Sequence, residues 1–376
     1  MTQPHWLIPD QLFDGQALRR GVALLIENEL VVAIRSQTDL PPGAKLQQTH
    51  GTITPGFVDL QVNGGGDVLL NHVPTPAGMA TMAAAHRRYG TVAILPTLIT
   101  DAPGVLAQAA QAALAAKGQS GIIGLHIEGP HISVARRGTH AEQFVRPLDE
   151  TTISIVRTLR AAGIAVMITL APEAVSPGQI AALVASGAVV SIGHSDATAD
   201  VTRMALAEGA SCFTHLFNAM SPMMNRSAGV VGAAINSTAF AGIICDGIHV
   251  ADEMVGLAIR ARPVPDRMFL VSDAMSTVGG SDHFTLYGQT IWLRDGRLVN
   301  DQGSLAGAHI TLADSLRRLI AVVGVPAEVA LRMAVTVPAT VIGRPDLARL
   351  EGRALADLLL LDAQYRATAL PGQLAR

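Results

Sequence analysis

Four residues that could do chemistry each follow a short apolar run. Glu128 ends the run GLHIE, His194 follows GAVVSIG, and His215 follows GASCFT. One carboxylate and two imidazoles form a ligand set typical of catalytic zinc sites, in which a further position stays open for water. Asp273 follows RMFLVS in the same way. A carboxylate there could accept a proton from an attacking water and donate it to a leaving amine, as amide hydrolysis requires.

Each of these residues also has an ordinary structural interpretation. A glutamate at a strand end can face solvent, a buried histidine can be a hydrogen-bonded core residue, and an aspartate after a strand can cap the next segment. The metal-site hypothesis rests on their coincidence, because all of them end apolar strands where an unpaired charge is costly. We expect one divalent ion per chain. Zinc is our first choice, and iron, manganese and cobalt accept the same ligands.

The elements that must position these residues alternate between strand and helix patterns. Helical stretches cover residues 76–89, 103–117, 149–162, 176–186, 197–208, 251–262 and 310–323. The strand-like runs finish near eight positions, which are Asn63, Thr97, Glu128, Leu170, His194, His215, Asp246 and Asp273. This alternation predicts an α/β fold, a (β/α)8 TIM-like barrel, whose active site lies at the carboxyl ends of the strands.

A doubly wound open sheet is the alternative fold. It would require a Gly-rich phosphate loop, and the segment Asn63-Gly64-Gly65-Gly66 matches that fingerprint poorly. The alternation of strands and helices therefore favours the barrel.

The segments before and after the barrel have a β pattern instead. VALLIEN and LVVAIRS lie near the start, and ADLLLLDA occupies residues 356–363. Neither segment has enough apolar residues for a core of its own, so we expect both to pair in one small β-sandwich domain. The predicted boundaries are 1–53 and 344–376 for this domain and 54–343 for the barrel.

Composition narrows the class of protein and of partner. The 376 residues are 49% hydrophobic and carry a net charge of −3, which argues against a nucleic-acid surface. No uninterrupted apolar stretch is long enough for a membrane span, and no signal peptide is evident at the start. Cys212 and Cys245 lie in apolar runs and are expected to be reduced core residues. We therefore expect a cytoplasmic protein with a small-molecule partner.

Six motifs follow one another along the chain, namely GLHIEGPHISVARRGTHAEQFVRP, SIGHSDAT, THLFNAMSPMMNRSAGVVGA, CDGIHV, LVSDAM and SLAGA. In their order and spacing they resemble the motifs of the N-acetylglucosamine-6-phosphate deacetylase family in the amidohydrolase superfamily. The resemblance implies hydrolysis of the acetamide of N-acetylglucosamine 6-phosphate to glucosamine 6-phosphate and acetate. It also assigns Glu128, His194 and His215 as metal ligands and Asp273 as the catalytic acid and base.

The resemblance implies further roles that residue types alone do not. His140 resembles the residue that hydrogen-bonds the scissile carbonyl oxygen, although without the resemblance we would interpret it as a solvated loop histidine. A homodimer is implied, in which Arg226 reaches the neighbouring site. The remaining substrate contacts are Thr139, Asn218 and Ala219 for the sugar, Arg226 and His249 for its phosphate, and a loop of Leu305, Ala306 and Gly307 that closes over the ligand.

One position departs from the wider superfamily. Many members have His-x-His at the end of the first barrel strand and bind two metals, whereas this chain has Gln61-Val62-Asn63. Amides are weaker zinc ligands than imidazoles, so the sequence favours a single metal. Asp59 lies deeper on the same strand, where we expect a structural role.

Two rival functions stay open. An amidohydrolase acting on a cyclic amide or nucleobase would keep the metal ligands without needing Arg226 and His249. A non-catalytic barrel would tolerate loss of a ligand or of Asp273, and the completeness of the set argues against it.

Overall fold

Eight parallel strands form the centre of the fold, as the alternating pattern predicts. The computed structural model describes residues 3–301, 303–368 and 370. Within these residues, the strands in chain order are β1 (His5–Phe13), β2 (Leu18–Arg19), β3 (Val22–Glu27), β4 (Leu30–Ser36), β5 (Leu46–Pro55), β6 (Phe57–Val62), β7 (Gly64–Gly65), β8 (Val68–Leu69), β9 (Thr91–Ile99), β10 (Gly124–Glu128), β11 (Ala165–Leu170), β12 (Val189–Ile192), β13 (Cys212–Phe213), β14 (Phe240–Ile243), β15 (Met268–Leu270), β16 (His283–Leu286), β17 (Gln289–Arg294), β18 (Arg297–Val299), β19 (Leu305–Ala308), β20 (Leu358–Leu361) and β21 (Ala367–Thr368).

The helices pack around this barrel and close its hydrophobic core. They are α1 (Pro76–Arg87), α2 (Pro103–Ala115), α3 (Glu150–Ala161), α4 (Gln179–Ala185), α5 (Ala199–Ala207), α6 (Gly229–Ile235), α7 (Asp252–Ala261), α8 (Leu312–Ala321), α9 (Ala327–Leu331) and α10 (Val337–Val341), with a π-helical turn at Arg332–Thr336 between the last two. Side-chain caps define several helix starts; Asp149, for example, accepts the backbone N–H of Thr152 at the start of α3. No helix among the described residues combines the length and apolarity that a membrane span needs.

The barrel strands run in the order β15-β14-β13-β12-β11-β10-β9-β6. Just beyond the end of β15, the N–H of Asp273 donates to the carbonyl of Gln61 in β6 across 3.0 Å, and Ala274 forms a parallel bridge with Val62, the last residue of β6. These contacts close the barrel at the position where the site residues collect. The predicted (β/α)8 class is therefore confirmed.

A separate seven-stranded sheet joins the segments that precede and follow the barrel. Its order is β21-β20-β5-β1-β3-β4, with β2 paired to β1. Ile53 of β5 lies opposite Leu360 of β20 in antiparallel register. The expected pairing of the two segments is thus present, while the boundaries at residues 53 and 344 stay predictions.

The sequence interpretation missed a four-stranded antiparallel sheet, β16 to β19, inserted after the eighth barrel strand. Two-residue turns join its first three strands, and Tyr287, Gly288, Asp295 and Gly296 at those turns all have positive φ. Tyr-Gly and Asp-Gly between short alternating runs are hairpin signals that could have identified this sheet. The expected loop of Leu305, Ala306 and Gly307 is wrong in one respect, because these residues lie within strand β19.

Candidate active site

Three predicted metal ligands meet at one point above the barrel. Glu128 ends β10, while His194 and His215 lie two residues beyond the ends of β12 and β13. Glu128 Oε1 is 3.3 Å from His194 Nε2 and 3.0 Å from His215 Nε2. The two Nε2 atoms are 3.0 Å apart. All three side chains are buried, and their donor atoms are close enough together for a single divalent ion.

The charges at this point suit a cation. Burial acts to raise the pKa of Glu128, but hydrogen bonds from His194 and His215 outweigh it and hold that pKa well below its usual value. Burial acts to lower the pKa of His215, and the Glu128 carboxylate reverses this and raises the pKa overall. The Glu128 carboxylate is therefore ionised and favours a positive charge on or between the His194 and His215 rings. A metal ion can supply that charge in place of a proton.

A loop after β10 orients His194. The Nδ1 atom of His194 lies 2.9 Å from the backbone carbonyl of Arg136. Since a carbonyl only accepts, Nδ1 must carry the proton, which leaves Nε2 of the neutral ring free to bind a metal. The N–H of Ser133 in turn donates to the carbonyl of His194 across 2.8 Å. The orientation of this ligand is thus fixed from both sides.

Backbone conformation marks the same group of residues. His194, His215 and Asp273 have φ values of 48°, 29° and 51°. Non-glycine residues seldom adopt this left-handed region, and those that do are concentrated at functional sites. Chain order alone gives no hint of this feature.

Asp273 is held by the side-chain amides of Gln61 and Asn63. Asn63 Nδ2 donates to Asp273 Oδ1 across 2.7 Å, and Gln61 Nε2 donates to the same oxygen across 3.1 Å. Gln61 Nε2 also donates to Glu128 Oε1 across 2.8 Å. From the sequence, Gln61 and Asn63 are recognisable only as weak metal ligands, and their role as hydrogen-bond donors is visible only in the structure.

The second carboxylate oxygen of Asp273, Oδ2, is available to contact a substrate or water. No described residue hydrogen-bonds Asp273 Oδ2, whereas Oδ1 accepts two amide N–H groups. Burial and the nearby Glu128 carboxylate raise the pKa of Asp273 to about 6. A carboxyl with a pKa near neutrality can both take and return a proton.

Asp59 makes contacts that fit the structural role expected of it. It is fully buried and accepts the N–H groups of Gln61 and Ser272. Burial raises its pKa to about 7. The cluster that could hold a metal among the described residues does not include it.

His140 corrects one interpretation of the unaided sequence. It is a buried residue with 3% exposure rather than a solvated loop histidine. Its ring centroid lies 4.4 Å from that of His194. The structure therefore places an additional imidazole beside the three candidate metal ligands.

A cavity of about 860 Å³ opens beside His140, between the loop 137–143 and the inserted sheet. Thr139, Tyr287 and Leu305 also line it. Ala306 is buried and Gly307 is partly buried in the same strand as Leu305. This cavity is large enough for a small sugar derivative and brings Thr139 and Leu305 to the same space as His140.

Of the other predicted substrate contacts, two follow β13 and one follows the next barrel strand, β14. Asn218 and Ala219 are partly buried just beyond His215, and the carbonyl of Ala219 accepts the N–H of Ser195. His249 Nδ1 is 2.6 Å from Asp246 Oδ2, and His249 acts to lower the pKa of Asp273. These residues therefore lie at the same end of the barrel as the three candidate ligands.

Arg226 is different, because no contact joins it to the cluster. It lies in an exposed stretch, residues 222–228, and forms no hydrogen bond or ion pair with any described residue. Met223 and Met224 in the same stretch are 44% and 61% exposed. The single chain therefore does not explain the predicted role of Arg226.

Comparison with known proteins places this site in a family. Residues 52–374 match the amidohydrolase family. The chain is 42% identical over 327 residues to N-acetylgalactosamine-6-phosphate deacetylase of Shewanella sp. strain ANA-3, covering 86% of this chain and 82% of that one. It is 33% identical to N-acetylglucosamine-6-phosphate deacetylase of Haemophilus influenzae, covering 92% of each.

The fold extends the match. A solved structure of N-acetyl-D-glucosamine-6-phosphate deacetylase from Mycobacterium smegmatis, in complex with N-acetyl-D-glucosamine 6-phosphate, has a TM-score of 0.87 and 31% identity to this chain, covering 98% of this chain and 97% of that one. The chain belongs to the amidohydrolase family, whose members are typically metal-dependent hydrolases. The relatives named above are all deacetylases of N-acetylated amino-sugar phosphates, which confirms the resemblance in the sequence motifs.

Proposed function

We propose that this chain hydrolyses the acetamide of N-acetylglucosamine 6-phosphate, producing glucosamine 6-phosphate and acetate. The observation that carries the proposal is the convergence of Glu128, His194 and His215 beside Asp273. The similarity to deacetylases over most of both chains supports the same reaction. A cyclic-amide hydrolase and a non-catalytic barrel have no comparable support.

Glu128, His194 and His215 would hold one divalent ion, for which zinc is the first choice. When bound, such an ion polarises an amide carbonyl and makes water more acidic. With Nδ1 of His194 protonated against the Arg136 carbonyl, its Nε2 would be free to bind the ion. Gln61 and Asn63 donate to carboxylates instead of supplying a second set of ligands, which supports one ion per chain.

Asp273 and His140 would act on the substrate. Asp273 Oδ2 would accept a proton from the attacking water and return it to the departing amine, while the amide donors hold Oδ1 in place. His140 would donate a hydrogen bond to the carbonyl oxygen as negative charge develops there. Asp273 would thus act on the attacking water and the leaving nitrogen, and His140 would act on the carbonyl oxygen of the acetamide.

The substrate contacts follow from the surroundings of the cluster. We propose that Thr139, Asn218, Ala219, Leu305, Ala306 and Gly307 contact the sugar. His249, whose Nδ1 is engaged by Asp246, would present Nε2 to the phosphate. Arg226 would bind the phosphate through its planar guanidinium, which matches phosphate oxygens well.

We propose a homodimer because Arg226 is exposed and makes no hydrogen bond or ion pair with the candidate ligands of its own chain. The exposed methionines Met223 and Met224 beside it provide apolar surface for a second copy of the chain. In that arrangement Arg226 would complete the neighbouring site. The buried, unpaired Cys212 and Cys245 support a reducing compartment, the cytoplasm.

N-acetylgalactosamine 6-phosphate is a second candidate substrate. The Shewanella relative named for that sugar is more similar to this chain, at 42% identity, than the Haemophilus relative, at 33%. The two sugars differ only in configuration at C4, so the same three metal ligands and Asp273 could hydrolyse the acetamide of either sugar.

The test is an acetate-release assay on both sugar phosphates and on unphosphorylated N-acetylglucosamine. Metal content is measured on the same preparation. Release from N-acetylglucosamine 6-phosphate supports the main proposal, and much faster release from the C4 epimer would favour the second candidate. No release from either phosphate by metal-loaded protein would overturn both.

A further inference from the structure

A buried hydroxyl holds one ring nitrogen of His140. Thr100 follows the last residue of β9, is 1% exposed, and places Oγ1 2.7 Å from His140 Nδ1. The other ring nitrogen, Nε2, is free of protein hydrogen bonds within the described residues. His140 thus has one side fixed by the protein and one side available to a ligand.

The chain makes room for this hydroxyl at Gly129. An ideal Cβ on Gly129 would lie only 2.3 Å from Thr100 Oγ1, closer than any real contact permits. Gly129 also has a φ of 81°, which side chains seldom adopt. Any larger residue at 129 would push against the bond between Thr100 and His140. Glycine at this position therefore keeps the space that the bond requires.

The inserted sheet holds the backbone of Thr100. The hydroxyl of Tyr287, in the turn between β16 and β17, donates to the carbonyl of Thr100. Tyr287 also lines the cavity beside His140. The Thr100 side chain and main chain are thus fixed by different partners, and its hydroxyl has little freedom to turn elsewhere.

The direction of the bond decides which nitrogen of His140 carries a proton. His140 Nδ1 is the hydrogen-bond partner of the Thr100 hydroxyl among the described residues. If Nδ1 were protonated, the hydroxyl would accept and its own buried proton would have no partner, which is unfavourable. If the hydroxyl donates, Nδ1 is the acceptor and Nε2 carries the ring proton.

We propose that Thr100 is a positioning residue that sets the Nε2–H tautomer of His140, so that Nε2 can donate to the carbonyl oxygen of the acetamide. The inference rests on the proposed function for the identity of the acceptor. It adds a requirement for the hydroxyl at position 100. This arrangement is the reverse of that at His194, where a carbonyl at Nδ1 leaves Nε2 unprotonated for a metal.

The first arm of the test compares Thr100→Val with Thr100→Ser in metal-loaded protein. Valine keeps the shape and removes the hydroxyl, so kcat should fall by roughly 10- to 100-fold, the usual effect of losing such an orienting partner, with little change in KM. Serine should restore most of the activity. Both variants should keep the unfolding temperature and metal content of the parent. Equal activity of valine, serine and threonine would overturn the proposal.

A double-mutant cycle separates positioning from general structural damage. Asparagine at position 140 can donate through its amide without help from Thr100. In a His140→Asn background, Thr100→Val should therefore have little further effect on kcat. A loss as large as in the parent would mean that Thr100 acts through something other than His140 and would overturn the proposal.

The second arm reads the tautomer without turnover. ¹⁵N-histidine spectra of metal-loaded protein, assigned by comparison with His140→Asn, should show a protonated Nε2 and an unprotonated Nδ1 for residue 140. Thr100→Val should give a different or mixed state. A protonated Nδ1 in the parent would overturn the inference. Absence of acetate release would overturn the proposed function instead, and the spectra would still decide the role of Thr100.

Discussion

Asn63 donates its side-chain N–H to Asp273 across 2.7 Å, joining the ends of the first and last strands of the barrel. The bond orients a catalytic candidate through the side-chain amide of Asn63. It also favours the ionised form of Asp273, since hydrogen bonds to a carboxylate lower its pKa. The consequences can be measured at both residues.

Asp273→Asn keeps the size of the side chain and removes its proton transfer. Turnover should fall by roughly 100- to 10,000-fold, while metal content and substrate binding persist. Single-turnover assays and isothermal titration with the sugar phosphate would measure these effects separately. Near-normal turnover would leave Asp273 a structural role only.

Asn63→Leu removes one of the two donors to Asp273 Oδ1 and keeps a branched side chain of similar shape. Because the donor lowers the pKa of Asp273, its loss should raise that pKa further above the usual value. Activity requires the ionised form, so the acid limb of the profile of kcat/KM against pH should move to higher pH. An unchanged limb, with intact folding by circular dichroism, would contradict the assigned role of the bond.

Replacing any one ligand should release the metal. Glu128→Gln, His194→Asn and His215→Asn should each lose most of the ion and the activity, measured by elemental analysis and acetate release. His131→Asn is the matched control, because His131 is also buried but bonds Thr152 and the carbonyl of Arg146. The parent should contain close to one ion per chain, and two bound ions would refute the role given to Gln61 and Asn63.

Arg226→Ala should lower kcat/KM for the phosphorylated substrate specifically. Loss of a charge-assisted contact should cost on the order of 2 kcal/mol, roughly 30-fold in kcat/KM, for the sugar phosphate and almost nothing for the unphosphorylated sugar. Arg203→Ala, an exposed arginine of α5 that pairs with Asp200, is the control. Equal losses on the two sugars would mean that Arg226 supports the fold.

Mixed dimers would show whether Arg226 acts across an interface. Neither Arg226→Ala nor Asp273→Asn should be fully active alone. If Arg226 serves the neighbouring site, a mixture of the two variants, refolded or co-expressed, should regain sites that combine an intact Asp273 with the partner's intact arginine. Failure to gain activity in confirmed heterodimers would place Arg226 in its own site.

His86 should make the fold sensitive to acid. Burial lowers its pKa to about 4, and its Nε2 lies 2.9 Å from the carbonyl of Gly64. As pH falls below about 6.5, His86 becomes protonated in the unfolded chain but stays neutral in the folded chain. The free energy of unfolding therefore decreases until about pH 4, where His86 of the folded chain is protonated as well. At pH 5 the loss should be about 2 kcal/mol. Urea unfolding of His86→Gln, which keeps a donor, should show a smaller loss between pH 7.5 and 5.

The sequence predicted the strand ends well because each barrel strand is a buried apolar run that stops at a polar residue. Glu128, His194 and His215 were accessible to this reasoning, and they do converge. The donor roles of Gln61 and Asn63 were not, because they depend on which side-chain atoms face Asp273 after the barrel closes. The roles assigned to the individual site residues stay predictions until the variants are measured.

His140 shows a different limit. Its place in a Gly-Thr-His turn suggests exposure, and only packing against the end of the barrel buries it. The role of Thr100 could not be predicted either, since it lies 40 residues from His140 in the chain and contacts it only in the folded structure. The inserted sheet, in contrast, could have been predicted, because its Tyr-Gly and Asp-Gly turns are recognisable in the sequence.

The pairing of β5 with β20 has a consequence for how the chain is made. The strand containing Ile53 leaves the ribosome long before its partner at Leu360, with the whole barrel synthesised between them. Until then, the β20-facing edge of β5 is an open strand edge, the kind of surface that other unfinished chains can pair with. Nascent chains should therefore be most prone to aggregation late in translation, after the barrel can fold but before residues 358–361 emerge.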